Sequence, residues 1–367
     1  MSQQPPRPAF YQGQDLGEAP HVAIIFGQEQ IGDFVLATPI MRGLRERYPD
    51  VRIDYLGGEG TRQIEEASAL VDARYSLFGR DEGFEDLPAF LARRVAEAGP
   101  YSLILNLEAA PLAAQAAALT GASYVAGQVI DANGATNLPP AEGIDRLWHD
   151  TWNRADLLES YPELESQFLS EIFCRLARIE TDYARYEVAT ADPGRPIPSL
   201  LIATGGSRAA KLWLDGHWLK VGEWLRDRGV SAGLLGAAPN STKDYGTRDL
   251  DTALIGLGVQ DLRAPTFTLP QVAGALAEAR AFLTIDNGLM HIAAAVGTPT
   301  LALFGASARR IWAPPVPHVT ILDPSEPCTL CEEHRFKNDA CLLPIHQCMQ
   351  SIPAARVIAA LEPLLRD

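Results

Sequence analysis

The chain has 367 residues, a length that suits two domains better than one core, and 47% of them are hydrophobic, enough to bury a sizeable interior. A net charge of −15, from 46 acids against 31 bases, disfavours nonspecific binding to nucleic acid or anionic lipid, although Arg42, Arg45 and Arg47 leave room for a local basic patch. No run reaches the ~18 apolar residues of a membrane span, and the N-terminus lacks the apolar stretch of a secretory signal; the expectation is a cytoplasmic protein whose five cysteines are reduced or metal-bound.

Residues 1–20 are rich in Pro and Gln and are expected to form a disordered tail. HVAIIF (21–26) is apolar throughout, as in a strand buried on both faces. After the turn Gly27–Gly32, apolar residues at Val35, Leu36, Ile40, Leu44 and Tyr48 predict a helix over 33–48. Pro49-Asp50 ends it. VRIDYLG (51–57), ARYSLF (73–78), SLILNL (102–107) and SYVAG (123–127) read as further strands, with helices near 86–98 and over 110–119. This alternation predicts a parallel sheet. Residues 143–180 read as helical, with Trp148, Trp152 and Leu157 near one face and His149 beside them, and Cys174 as a helix core residue.

ATADPGRPIP (189–198), with three prolines, is the expected linker. A second α/β series follows: SLLIATGG, a helix over 215–228, SAGLLG (231–236), a helix near 270–280, and FLTIDNGLMHIAAAVGTPTLALFG (282–305). The last of these reads strand, polar turn, helix, strand. It places Asp286, Asn287, Gly288 and His291 at the carboxyl end of a parallel strand, where doubly wound sheets bind ligands. The free N–H groups of a helix N-terminus there suit a phosphate. The expected organisation is therefore a tail over 1–20, a domain over 21–188, a linker over 189–198 and a second domain over 199–350 with a Cys-rich segment at 328–348. The last helix, within 351–367, is expected to pack back on the first domain.

Four segments together carry a resemblance: IGDFVLATPIMRGLRERYPDVRIDYL (31–56), GGSRAAKLWLDGHWLKVGEWL (205–225), the 282–305 run and the Cys-rich tail ending CMQSI (348–352). In order and spacing they resemble the heptosyltransferase group, family nine of the glycosyltransferases. The resemblance implies an α/β protein of GT-B architecture, two Rossmann-like domains facing across a cleft. It also implies inverting transfer of a sugar, usually from ADP-heptose, to an acceptor hydroxyl, with no catalytic metal.

The family's base matches Asp33, at the start of the first long helix; the alternative is an N-cap carboxylate. Its lysine matches Lys211, where a cation would stabilise charge growing on the leaving diphosphate; the alternative is a solvated loop lysine. Ser207 and the Gly205 and Gly206 amides would bind phosphate oxygens, with Arg208 as a second cation. In the family's nucleotide-sugar segment, Asp286 would hold sugar hydroxyls, the Gly288 and Leu289 amides would hold phosphate, and His291 would sit nearby. Asn287 departs from the family's usual Thr but keeps a donor for phosphate. Asn240 and Ser241 stand where many relatives carry an acid near the base and ribose, which leaves the base preference open.

Cys328, Cys331, Cys341 and Cys348, spaced C-x2-C-x9-C-x6-C, suit a structural zinc or iron; four reduced thiols or one regulatory disulfide are the alternatives. Trp148, His149 and Trp152 either line an acceptor surface or fill a core. The competing functions are a non-catalytic sugar-nucleotide-binding module and a GT-B-type nucleotide-sugar epimerase. The turn GQEQIGD lacks G-x-G-x-x-G, which argues against a dehydrogenase. The expected partners are a nucleotide-sugar and a glycan, lipid-linked or protein acceptor, without nucleic acid and with at most peripheral contact to the inner membrane. Nothing in the sequence sets the oligomeric state.

Overall fold

The computed structural model describes residues 8–79, 83–238, 247–326 and 328–366. The chain divides into two compact units, Met1–Glu187 and Val188–Asp367.

In the first unit, six strands form a parallel sheet: β1 (Ala9–Phe10), β2 (His21–Ile25), β3 (Arg52–Gly58), β4 (Ala73–Phe78), β5 (Leu103–Asn106) and β6 (Tyr124–Gly127). The order β1-β6-β5-β2-β3-β4 makes β2 the strand from which the chain winds outward in both directions. Every residue of β2 and of β5 is buried, which accounts for their unbroken apolar sequences. The helices α1 (Ile31–Arg47), α2 (Leu87–Ala98), α3 (Pro111–Leu119) and α4 (Leu169–Leu176) belong to this unit. Pro39 lies inside α1, where its missing N–H would strand the Val35 carbonyl; the Thr38 hydroxyl donates to that carbonyl at 2.7 Å instead. Near the start of β2, buried Asp54 accepts hydrogen bonds from Arg94 and Tyr101 and pairs with His21 at 2.9 Å, a satisfied polar network that locks β3 to its neighbours.

In the second unit the strands are β7 (Leu200–Ala203), β8 (Ala232–Leu234), β9 (Gln260–Asp261), β10 (Ala281–Ile285), β11 (Thr300–Leu303) and β12 (Val319–Leu322). They too are parallel, in the order β9-β8-β7-β10-β11-β12. The helices include α5 (Asp215–Arg228), α6 (Arg248–Gly256), α7 (Leu269–Glu278), α8 (Gly288–Val296) and α9 (Ala354–Leu365). Trp213 and Trp218 anchor the core between β7 and α5.

Four expectations need correction. The last helix packs within the second unit: Val357 and Leu361 of α9 lie in one cluster with Trp218 and Leu225, and Trp213 Nε1 donates to the Ile352 carbonyl at 2.9 Å. Residues 8–20 of the tail are ordered, because β1 adds to the edge of β6 and Tyr11 is buried. Residues 189–198 are not a loose tether: the Ala191 N–H donates to the Pro270 carbonyl at 2.9 Å, and its own carbonyl lies so close to Gly274 of α7 that no Cβ would fit there. Residues 143–180 form a 3-10 turn (Gly143–His149), a short helix (Leu157–Ser160) and α4 rather than one long helix.

The Arg cluster is also committed to the fold. Arg42 is 6% exposed and donates to the Arg185 and Asp182 carbonyls, while Arg45 bonds the Leu70 carbonyl and Asp72. No helix among the described residues is long and apolar enough to cross a membrane.

Candidate active site

In each unit the central strand has neighbours on which the winding direction reverses, and such switch points are where doubly wound sheets take ligands. In the second unit the switch lies between β7 and β10. The turns that leave these strands carry Gly205-Gly206-Ser207-Arg208 and Asp286-Asn287-Gly288.

Lys211 ends a 3-10 turn (Ala209–Lys211) and is not a solvated loop lysine. Its ammonium lies 2.7 Å from Asp286 Oδ2, with the two side chains 15% and 5% exposed. Burial alone would raise the Asp286 carboxyl. The Lys211 charge, hydrogen bonds from Lys211 and Ser307, and His291 outweigh burial and hold it below the usual carboxylate range. His291, on α8, is buried, and burial pushes it down to about 4; the Asp286 charge opposes this and Lys211 adds to it. Its ring is therefore neutral at neutral pH. Nδ1 has no hydrogen-bond partner among the described residues.

Asn287 caps α8. Its Oδ1 accepts from the Leu289 and Met290 amides at 3.1 and 3.2 Å, and its Nδ2 donates to the Gly205 carbonyl at 2.8 Å. Both ends of this amide are thus engaged within the protein rather than held out as a phosphate donor, and the Leu289 N–H is occupied as well. Gly205 opens onto free space, whereas a Cβ on Gly206 would strike Ile285. Ser207 is exposed. Arg208 departs from its expected role as a second phosphate cation: its guanidinium donates to the Asn338 carbonyl at 2.8 Å and the Ala306 carbonyl at 2.6 Å. Asn240 and Ser241 lie outside the described residues.

The Cys-rich segment adjoins this turn. The Ala210 N–H donates to the Asp339 carbonyl at 2.7 Å, and Cys331 packs against Ala210 and Ala306. All four cysteines are free thiols; Cys331 and Cys348 are buried, and Cys328 and Cys341 are half-buried. Burial, then the neighbouring Cys331, Cys341 and Cys328, push the Cys348 thiol up to about 11. Among the described residues, no three His, Cys, Asp or Glu side chains are gathered closely enough to hold a metal ion. Cys174 is buried in α4, as expected, and burial pushes its thiol up to about 12.

In the first unit the switch lies between β2 and β5. Asp33 is half-buried in the first turn of α1, but the cap position is Gln30, so Asp33 is not the N-cap. Glu108, just beyond β5, accepts from the Gly27 N–H and from Gln28 Nε2, both at 2.9 Å, and so ties the turn after β2 to the end of β5. Burial raises the Glu108 carboxyl, against hydrogen bonds that lower it. Trp152 packs edge-on against Phe173 at 5.6 Å and donates to the Leu147 carbonyl, which favours the core role. His149 bonds the Pro139 carbonyl at 2.7 Å.

Glu108 and Ser307 were not singled out by sequence reasoning. Each is a lone polar residue just beyond a strand: only the strand order shows that Glu108 follows a strand bordering a switch point, and only the pairing of β10 with β11 brings Ser307 to Asp286.

The family description Glycosyltransferase family 9 (heptosyltransferase) matches residues 163–340. Lipopolysaccharide heptosyltransferase 3 of Escherichia coli is 25% identical over 353 residues, covering 91% of this chain and 96% of the relative. Among solved structures, the family 9 glycosyltransferase of Veillonella parvula superposes with a TM-score of 0.69 at 17% identity, covering 94% of this chain and 97% of that one. ADP-heptose lps heptosyltransferase II of E. coli gives 0.67 at 18% identity, covering 94% and 98%. Two doubly wound Rossmann-like units in series have the GT-B architecture of these structures, and the family match and the curated relative make the chain a glycosyltransferase. More narrowly, residues 163–340 match glycosyltransferase family 9, and the chain as a whole is heptosyltransferase-like.

Proposed function

We propose that the protein is an inverting glycosyltransferase that moves heptose from ADP-heptose to a hydroxyl of the lipopolysaccharide core, as a cytoplasmic protein touching the inner membrane peripherally. The observation that carries this reading is the buried Lys211–Asp286 pair at the switch point, beside the N-terminus of α8. The choice of donor and acceptor is supported by the similarity to a lipopolysaccharide heptosyltransferase and to an ADP-heptose lps heptosyltransferase.

In this mechanism Asp33 takes the proton of the acceptor hydroxyl. The freed oxygen bonds to the anomeric carbon on the face opposite the diphosphate. The carbon–oxygen bond to the diphosphate breaks, and its electron pair leaves with ADP. Lys211 meets the charge that grows on the diphosphate, an interaction stronger in the transition state than before it. Asp286 keeps that ammonium in place and holds sugar hydroxyls. The Gly205 turn and the Gly288 N–H at the start of α8 receive phosphate oxygens.

The test is direct. Purified protein is incubated with ADP-heptose and a truncated lipopolysaccharide core, and the acceptor is weighed by mass spectrometry. A mass increase of one heptose with stoichiometric ADP is expected, and Asp33→Asn should bind ADP yet give no product. Intact donor after prolonged incubation with the competent acceptor, or full turnover by Asp33→Asn, would sink the reading.

We further propose that Cys328, Cys331, Cys341 and Cys348 hold a structural zinc or iron. The four thiols have the right chemistry, and they are near enough to raise the pKa of Cys348 together. Closing them round one ion requires a rearrangement of the segment, because they are not gathered as a cage. Such an ion would favour the thiolates and stiffen the loop behind Arg208. Metal analysis of untagged protein decides this: about one ion per chain is expected, and a stoichiometry near zero rejects it.

A further inference from the structure

The turn at Gly27 gathers side chains that the fold alone does not call for. Gly27 has φ +84°, and a Cβ there would lie 3.3 Å from the Asp33 Cβ and 3.5 Å from the Tyr55 hydroxyl. Asp33 and the phenol therefore approach one small space left by the absent side chain. Glu108 closes its other side through the Gly27 N–H. Tyr55, on β3, is fully buried and meets Phe34 of α1 edge-on, with ring centroids 5.1 Å apart. Its hydroxyl has no hydrogen-bond partner among the described residues.

A buried, unpaired hydroxyl is a net cost to folding, and a phenylalanine would fill the same volume without it. Stability therefore does not explain the oxygen. The charged groups facing it are Glu65 from the helix Arg62–Glu66, Asp33 from α1, Glu108 beyond β5 and Arg74 from β4. Burial first, and then the three carboxylates, keep the phenol protonated. It is a neutral donor in a space bordered by acids.

We propose that Tyr55 is a positioning residue for Asp33: with an acceptor hydroxyl in place, the phenol donates a hydrogen bond to the Asp33 carboxylate and fixes the oxygen that receives the proton. The proton taken from the acceptor ends on Asp33, and the phenol keeps its own. The inference rests on the reading of Asp33 as the base.

A hydrogen bond to the charged form of an acid favours that form, so losing it raises the acid's pKa. The experiment compares the pH dependence of kcat/KM for the parent and Tyr55→Phe, with ADP-heptose and a truncated lipopolysaccharide core, alongside Tm. The acid limb should move to higher pH by about one unit, with kcat about tenfold lower and Tm unchanged or higher. Superimposable pH profiles with kcat within about twofold overturn the inference. So does a lower Tm with an unmoved limb, which assigns the hydroxyl to packing. Asp33→Asn separates the two claims: if it is inactive while Tyr55→Phe is normal, only the Tyr55 inference fails, whereas an active Asp33→Asn removes the base itself.

Discussion

The side-chain amide of Asn287 donates to the Gly205 carbonyl at 2.8 Å, while its oxygen caps α8. One residue thereby joins the two turns that leave β7 and β10, and the spacing of those turns depends on it. The usual threonine could cap the helix but has no N–H to reach Gly205. Asn287→Thr should keep most of the stability and raise the donor KM several-fold. Asn287→Ala should lose about 1 kcal/mol as well, the cost of a missing N-cap. Tm and donor KM measured on both variants separate cap from clamp.

Lys211 does two things at once, and its removal should show both. Lys211→Met leaves Asp286 buried without its cation. The rate should fall by roughly a hundredfold or more, and stability should fall with it because an unpaired buried charge is expensive. The acid dependence moves too. The Asp286 carboxyl is depressed in the parent, so its contribution to stability is present above the unfolded pKa of about 4 and is lost as pH falls through the folded value. Without Lys211, burial dominates, the folded pKa rises, and stability should begin to fall at higher pH. Urea titrations between pH 7 and pH 4 read this difference.

His291 titrates at about 4, against 6.5 for the free side chain. Between those values the unfolded chain binds a proton that the folded chain refuses. Stability is therefore lost as pH falls from about 6.5 toward 4, by at most about 1.4 kcal/mol per pH unit. His291→Gln should flatten that limb. A slope unchanged in the variant would show that His291 is not buried in its neutral form.

Arg208 braces the Cys-rich segment rather than facing outward. In Arg208→Ala the Asn338 and Ala306 carbonyls lose their donor, and Cys331, 7% exposed, should be alkylated several-fold faster. Arg208→Lys should restore little, since a single ammonium lacks the planar fork that spans two carbonyls. Labelling rates followed by mass spectrometry check this. A raised donor KM with unchanged labelling would return Arg208 to the phosphate.

Much of this was legible in the sequence. The buried central strands announce themselves as apolar runs, and the polar turns after β2, β7 and β10 follow directly. The partners of residues 8–20 and of the last helix stayed hidden because apolar residues state that they will be buried, not against what. Tyr11 found the edge strand β6, and Val357 and Leu361 found Trp218. The partners of the site were hidden for a related reason. Glu108 reaches Gly27 across 81 residues of sequence, and only the order of strands brings them together. Asn287 was recognised as a departure from the family pattern, but its bond to Gly205 depends on β7 and β10 being neighbours.

The placement of α9 has a practical consequence. Because that helix packs into the core of residues 188–367 and the 189–198 stretch is bonded to the same body, the boundary after Glu187 is the place to cut the chain. The two halves could then be produced as separate polypeptides. The second alone would serve as a calorimetry reagent for ranking nucleotides, and mixing it with the first would reveal whether turnover demands a covalent tether.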